Sequence, residues 1–144
     1  MVLNPKAKNN LVSVSIIIGA IYAGLSVLLG AFAAHALKHI ITPDQLTIFK
    51  TGVSYQMYHG LALLWLGLYA MHPKTHSESN QKTLNKIGWF WAIGVLLFSG
   101  SLYVYVLTGA KFLVKITPIG GVSMIIGWGM LIVSLIRNSR IDSP

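Results

Sequence analysis

The residues best suited to chemistry are a histidine and a tyrosine inside a long apolar segment. His59 stands seven residues into the uncharged run 52–71, and Tyr55 precedes it by four residues, the spacing of one helical face. An ionisable side chain avoids hydrocarbon, so His59 is expected to face other protein groups, close to the segment 99–103. Two roles remain open. A neutral imidazole would fix packing by hydrogen-bonding a neighbouring helix, or His59 would act as a proton relay or ligand-binding group.

Further polar side chains gather near the ends of the same apolar segments. If consecutive helices alternate in direction, these ends share one side of the molecule, where the polar groups could surround a hydrogen-bonded cavity. The candidate cavity residues are His35, Tyr55, Gln56, His59, Ser99, Ser101, Tyr103 and Thr117.

Metal, cofactor and enzyme chemistry find little support in the sequence. His35 and His39 are four residues apart, as two ligands on one helix face would be, but no nearby Cys or carboxylate completes a metal site. The chain has no Cys, and its carboxylates, Asp44, Glu78 and Asp142, lie outside the apolar runs. We therefore expect no metal site, no cofactor and no enzymatic activity.

The composition is that of a protein whose solvent is largely lipid. Of the 144 residues, 54% are hydrophobic and 10% are charged, and the mean hydropathy is +0.67. Soluble domains carry far more charge. Eleven Lys and Arg against three Asp and Glu give a net charge of +8, but the basic residues stand singly near the ends of apolar runs. This placement argues against nucleic acid and favours the lipid bilayer as partner.

Four uncharged runs of membrane-spanning length predict the fold. They cover residues 11–34, 52–71, 87–107 and 116–136, with a polar middle loop over 72–86. The expected fold is all-α, a single membrane domain over residues 1–144 built as a bundle of four transmembrane helices. A cleaved signal peptide is the alternative for the first run, because Lys6 and Lys8 precede it, but the run is longer than signal peptides have.

The basic residues also predict the orientation. With four spans, the termini and the middle loop share one side, which carries seven Lys and Arg against four on the other. Cytoplasmic segments hold the excess of basic residues, so both termini are predicted to be cytoplasmic. The four lysines on the opposite side are Lys38, Lys50, Lys111 and Lys115.

Local signals predict where helices begin. Thr42-Pro43, followed by Gln45, has the pattern of a capping box with proline in the first turn. The sequence Ile-Thr-Pro occurs both at 41–43 and at 116–118. This repetition suggests an arrangement of two tandem αα-hairpins.

Small residues on the first and last runs predict close helix packing. Spaced about four apart, they form stripes along which two backbones can approach each other. They are Gly19, Ala23, Gly24 and Gly30 in the first run, and Gly120, Ser123 and Gly127 in the fourth. We expect these stripes to pack helices within the chain, and a stripe left over would join copies in a homo-oligomer.

Four motifs in order give the chain a family resemblance. They are Gly30-Ala31-Phe32-Ala33-Ala34-His35, Thr51-Gly52-Val53-Ser54-Tyr55-Gln56-Met57-Tyr58-His59, Ser99-Gly100-Ser101-Leu102-Tyr103 and Thr117-Pro118-Ile119-Gly120-Gly121. Over about residues 13–135 the chain resembles the domain of unknown function 423 family, also called uncharacterised protein family 0382, which has a transmembrane protein 256-like branch. Ala33 stands where Gly is common in that family. The resemblance implies a small multi-pass protein of the bacterial inner membrane, and it supplies no activity, cofactor or catalytic residue.

Two classes of function follow from these observations. The first is a multi-pass membrane protein that serves as a scaffold, an accessory subunit or a small-ligand-binding bundle, with another membrane protein or a second copy as partner. The alternative is an oligomeric transporter or channel for protons or a small polar solute, with Tyr55, His59, Ser101 and Tyr103 along its path.

Overall fold

Four long α-helices form the part of the chain that the computed structural model describes, residues 5–72, 75 and 77–141. The helices are α1 (Pro5–His35), α2 (Pro43–Ala70), α3 (Glu78–Thr108) and α4 (Thr117–Ile141). Short 3-10 segments, Leu37–His39 and Lys111–Lys115, lie between α1 and α2 and between α3 and α4. No strand occurs among these residues, so the all-α prediction is confirmed.

The capping box predicted at the start of α2 is present. The backbone N–H of Gln45 donates to the Thr42 hydroxyl at 3.2 Å, and the backbone N–H of Thr42 donates to the Gln45 side chain at 3.0 Å. These two bonds satisfy N–H groups that a helix start otherwise leaves without partners. Pro43 occupies the first turn, where its missing N–H costs nothing.

Helix α3 begins inside the segment 72–86, so the predicted extent of the middle loop is wrong. The Ser77 hydroxyl accepts from the backbone N–H of Asn80 at 3.3 Å, and α3 starts at Glu78. Glu78 and Lys82, four residues apart, then form an ion pair of 2.6 Å on the exposed helix surface. The polar composition of this segment reflects exposure to water, which a helix tolerates as well as a loop does.

A buried side chain fastens the connection between α2 and α3. The Gln81 amide donates to the backbone carbonyls of Ala70 at 2.8 Å and Thr75 at 3.0 Å. The Thr75 hydroxyl lies 2.7 Å from the His72 carbonyl and 3.1 Å from that of Ala70. These contacts supply partners for carbonyl groups that the last turn of α2 leaves free.

Consecutive helices run antiparallel. Ile16, near the start of α1, packs on Gly67, near the end of α2. In the second pair, the Arg137 guanidinium near the end of α4 donates to the Asn80 side chain at the start of α3. The start of α1 and the end of α4 therefore lie at one end of the bundle, which we call the terminal end. The two 3-10 segments lie at the other, the turn end.

Three segments of the described residues are long and apolar enough to cross a membrane. They are Val14–His39, Glu78–Thr108 and Lys111–Ser139. Helix α2 is 28 residues long but contains no such segment, since Gln56, His59 and its tyrosines interrupt its apolar residues. Large apolar side chains also point outwards, as in Leu28, 66% exposed, and Ile125, 69% exposed. A surface of this kind suits lipid.

Small residues bring the helices of each pair together. A Cβ atom on Gly19 would lie 2.7 Å from the Gly60 carbonyl oxygen, and one on Gly120 would lie 2.7 Å from that of Gly94. These backbones can touch only because neither residue has a side chain. Ala23 adjoins Gly60 as well, and Gly30 faces Val53 at ordinary contact distance.

Gly24 is a correction to the predicted packing set. No atom lies within 4 Å of the position that its Cβ would occupy, and the residue is exposed. Gly19 and Gly24 are five residues apart, about 140° around a helix, so they cannot both face α2. The stripe that contains Gly19 and Ala23 packs against α2, and Gly24 lies on the outer surface.

Candidate functional site

Gln56 links three helices near the middle of the bundle. Its side-chain NH₂ donates to the Tyr22 carbonyl of α1 at 3.0 Å, and its side-chain oxygen accepts from the Tyr103 hydroxyl of α3 at 3.0 Å. The Tyr22 hydroxyl in turn donates to the Ala92 carbonyl of α3 at 2.8 Å. Gln56 is 5% exposed, so these bonds are made where water does not compete. We call Tyr22, Gln56 and Tyr103 the central network.

Ser99 and Gly52 extend this contact between α2 and α3. The buried Ser99 hydroxyl donates to the Gly52 carbonyl at 2.8 Å. The Tyr103 ring lies directly over Gly52, whose Cβ, if present, would be 2.7 Å from a ring carbon. The ring also packs on Phe49, three residues earlier on α2, with centroids 4.8 Å apart. The absence of a side chain at position 52 therefore makes room for the tyrosine that reaches Gln56.

His59 lies in the interior of the bundle between hydrogen bonds to two helices. It is 6% exposed; its Nδ1 is 2.9 Å from the Tyr55 carbonyl, and its Nε2 accepts from the Trp128 indole N–H at 3.1 Å. A carbonyl only accepts and an indole only donates, so this pattern requires a neutral imidazole with its hydrogen on Nδ1. The imidazole thereby joins α2 to α4.

Two tryptophans in mutual contact pack against one side of this imidazole. The ring centroids of Trp91 and Trp128 each lie 6.1 Å from that of His59, edge to face, and 4.6 Å from each other. A Cβ on Gly127 would lie 2.6 Å from the Trp91 indole nitrogen, so the glycine makes the space that Trp91 fills. We call His59, Trp91 and Trp128 the His59 cluster.

Burial of the Trp91 indole N–H costs free energy. Trp91 is fully buried, and its N–H has no hydrogen-bond partner among the described residues. Leaving such a donor without a partner costs about 1–3 kcal/mol. The tight packing of Trp91 against Gly127 and its contact with the other two aromatic rings offset part of this cost.

A third polar contact joins α3 to α4 at the turn end. The hydroxyl oxygens of Ser101 and Thr117 lie 2.7 Å apart, within one hydrogen bond. Thr117 is also 3.2 Å from the Leu113 carbonyl in the preceding 3-10 segment, which positions the start of α4. Deeper in the same helix pair, the Ser123 hydroxyl donates to the Phe90 carbonyl at 2.7 Å.

Six of the eight predicted cavity residues are divided among separate helix contacts. Gln56, Ser99 and Tyr103 belong with the central network, His59 with the two tryptophans, and Ser101 with Thr117. Tyr55 is 41% exposed, although its ring stacks on His59 with centroids 6.2 Å apart. His35 is exposed at the end of α1. The buried polar side chains bind one another, backbone carbonyls and the Trp128 indole.

Sequence reasoning missed three residues of these networks, namely Tyr22, Trp91 and Trp128. A tyrosine between alanines and glycines on α1 is a signal for Tyr22, because its ring must find space that small neighbours leave. Gly127, which directly precedes Trp128, is a signal for the His59 cluster, because a glycine leaves space for a large ring. Among the described residues, no three His, Cys, Asp or Glu side chains lie close enough to hold a metal ion.

Comparison with known proteins gives one consistent family. A family model described as "Protein of unknown function (DUF423)" matches residues 29–121. A UPF0382 membrane protein of Staphylococcus aureus is 45% identical over 122 residues, 85% of this chain and 94% of that protein. The UPF0382 membrane protein YwdK of Bacillus subtilis is 42% identical over 124 residues, 86% of this chain and 97% of YwdK.

A third relative matches a shorter part of the chain. A UPF0382 membrane protein of Haemophilus influenzae is 42% identical over 102 residues, 71% of this chain and 77% of that protein. No solved structure matches the chain significantly. The names of these relatives assign them to membranes and state no activity. With the family model covering most of the bundle, and relatives this similar along most of their length, the chain belongs to the DUF423 family of UPF0382 membrane proteins.

Proposed function

We propose that all four helices cross the bacterial inner membrane and that both termini are cytoplasmic. Helix α2, with 28 residues, extends about 42 Å, more than the roughly 30 Å of a hydrocarbon core. Its polar residues Gln56 and His59 point inwards and are hydrogen-bonded, while Leu61 and Leu68 point outwards. The excess of basic residues on the side of the termini supports the orientation.

Within the membrane, the protein acts as a non-catalytic scaffold or accessory subunit for another membrane protein. The observation that carries this proposal is the central network, in which Gln56 binds the Tyr22 carbonyl and the Tyr103 hydroxyl. Its polar atoms hold α1, α2 and α3 together and are not free for a substrate. A bundle locked in this way offers a fixed outer surface for a partner.

A path for protons or solutes would need polar groups that can exchange their partners. The imidazole of His59 instead packs against two indole rings, and both of its nitrogens are hydrogen-bonded. Ser101, nearer the turn end, is bonded to Thr117. The polar residues are thus divided among separate helix contacts, an arrangement that suits packing better than conduction.

Two measurements test this proposal, one that begins in membranes and one on the purified protein. Tagged protein expressed at its natural level is cross-linked in membranes and purified, and a membrane-protein partner in fixed ratio is expected. Separately, proton and solute flux into proteoliposomes should not exceed that into empty vesicles. Flux that His59→Ala abolishes, while Tyr58→Phe at an exposed position leaves it intact, would overturn the scaffold proposal in favour of transport.

A further inference from the structure

An apolar groove lies on the bundle near the turn end. It has a volume of about 430 Å³. The residues that line it are Ile48 of α2, Phe98, Leu102 and Tyr105 of α3, Val114 of the following 3-10 segment and Thr117 at the start of α4. Phe98 and Tyr105 are seven residues apart on one helix, so the groove extends about 10 Å along α3. Because α3 is long and apolar enough to cross the membrane, the groove runs in the direction of lipid chains.

Two lysines lie near this groove, at the turn end. Lys111 and Lys115 are the first and last residues of the 3-10 segment that contains Val114, and both are exposed. Side chains three residues apart on a 3-10 helix share a face, so Lys111 lies on the side of the segment that carries Val114. Lys115 directly follows Val114, on the next face of the segment, and it precedes Thr117 and Pro118, which also line the groove. Both lysines therefore lie within three residues of groove-lining residues, at the turn end.

These two lysines have no acidic partner within the described residues. Glu78 forms its ion pair with Lys82, at the terminal end. At the turn end, Asp44 in the first turn of α2 is the one described carboxylate, against Lys38, Lys50, Lys111 and Lys115. An anionic ligand is therefore favoured electrostatically at this end of the bundle.

We propose that this groove binds one acyl chain of an anionic phospholipid, whose phosphate group lies between Lys111 and Lys115. Basic residues above an apolar cleft between membrane helices match both parts of such a molecule. The lysine stems can lie along the apolar surface while their ammonium groups reach the phosphate. This site is independent of the scaffold role, because the lipid would bind whether or not a protein partner is present.

The charge of the turn end favours a lipid over a second copy as the occupant of the groove. A second copy in the same membrane orientation would bring its own four turn-end lysines and one described carboxylate beside those of the first. An anionic headgroup instead brings the opposite charge.

Native mass spectrometry of the purified full chain tests the headgroup part of the proposal. Phosphatidylglycerol and phosphatidylcholine with identical acyl chains are added in equal amounts, and the lipid retained on the protein is counted. We expect one retained phosphatidylglycerol, preferred by about tenfold or more. The preference should disappear in the double variant Lys111→Gln/Lys115→Gln. It should persist in Lys82→Gln/Lys86→Gln, which removes the same charge at the terminal end.

A second pair of variants tests the acyl-chain part. Leu102→Trp fills the groove and should abolish retention of phosphatidylglycerol, whereas Leu96→Trp, on the outer surface of the same helix, should not. Equal retention of the two lipids by the wild-type chain would overturn the proposal. So would displacement by millimolar inorganic phosphate, which would indicate a free-phosphate site, or a change of oligomeric state in Leu102→Trp alone, which would indicate a second copy in the groove.

Discussion

Replacing Gln56 by leucine removes the contact that joins three helices. The substitution keeps a similar side-chain volume but deletes the bonds to the Tyr22 carbonyl and the Tyr103 hydroxyl, each 3.0 Å long. Hydrogen bonds between membrane helices contribute about 0.6 kcal/mol each, and the Tyr103 hydroxyl left behind costs about 1 kcal/mol more. We therefore expect the free energy of unfolding to fall by about 2 kcal/mol.

Reversible unfolding in mixed micelles, followed by tryptophan fluorescence, measures this loss. Combining Gln56→Leu with Tyr103→Phe should reveal a coupling energy of about 1.6 kcal/mol, because both variants break the same bond and the double variant leaves no unpaired Tyr103 hydroxyl. The matched control is Tyr58→Phe, a tyrosine on the same helix that is 62% exposed, and its coupling to Gln56→Leu should be close to zero. Equal coupling to both tyrosines, or a loss below about 0.5 kcal/mol for Gln56→Leu, would refute the role of the central network.

Three further predictions follow from the packing and the orientation. His59→Phe should lower stability by about 1–2 kcal/mol and shift the Trp128 indole N–H resonance, since the donor loses its acceptor; an unmoved resonance contradicts the His59 cluster. Gly127→Ala should lower the free energy of unfolding by about 1–3 kcal/mol, because its Cβ would lie 2.6 Å from Trp91. Gly24→Ala should raise it slightly, because the surroundings of Gly24 are open. Unfolding in micelles measures both variants, and the same effect for both would contradict this reasoning. Reporter fusions to either terminus should locate both in the cytoplasm, and fusions on opposite sides would rule out four spans.

The sequence indicates which helices exist more clearly than which faces meet. Uncharged runs and the Thr42 capping box correctly predict the helices and the start of α2. The start of α3 was missed because polar residues such as Glu78 and Lys82 occur equally in loops and on exposed helices. In both helices a capping residue marks the start, and for α3 that residue is Ser77.

Rotation about each helix axis is harder to predict in a lipid-facing protein. Interior and outer side chains are both apolar, so hydrophobicity does not distinguish the face of Gly19 from that of Gly24. Trp91 and Trp128 suit the membrane interface by composition, yet Trp91 is completely buried against His59. Polar residues carry better information, because Gln56 and His59 must find partners, but the sequence does not say which helix provides them.

The low hydropathy of α2 has a consequence for the synthesis of the protein. Helix α2 leaves the ribosome after α1, so Gln56 can bind the Tyr22 carbonyl as soon as the first hairpin enters the membrane. The Tyr103 hydroxyl arrives later, with α3, and the Trp128 indole arrives only with α4. Until then His59 lacks the donor for its Nε2. The last helix to be made therefore completes the interior of the second, and a chain that lacks α4 would leave the Nε2 of His59 without this donor.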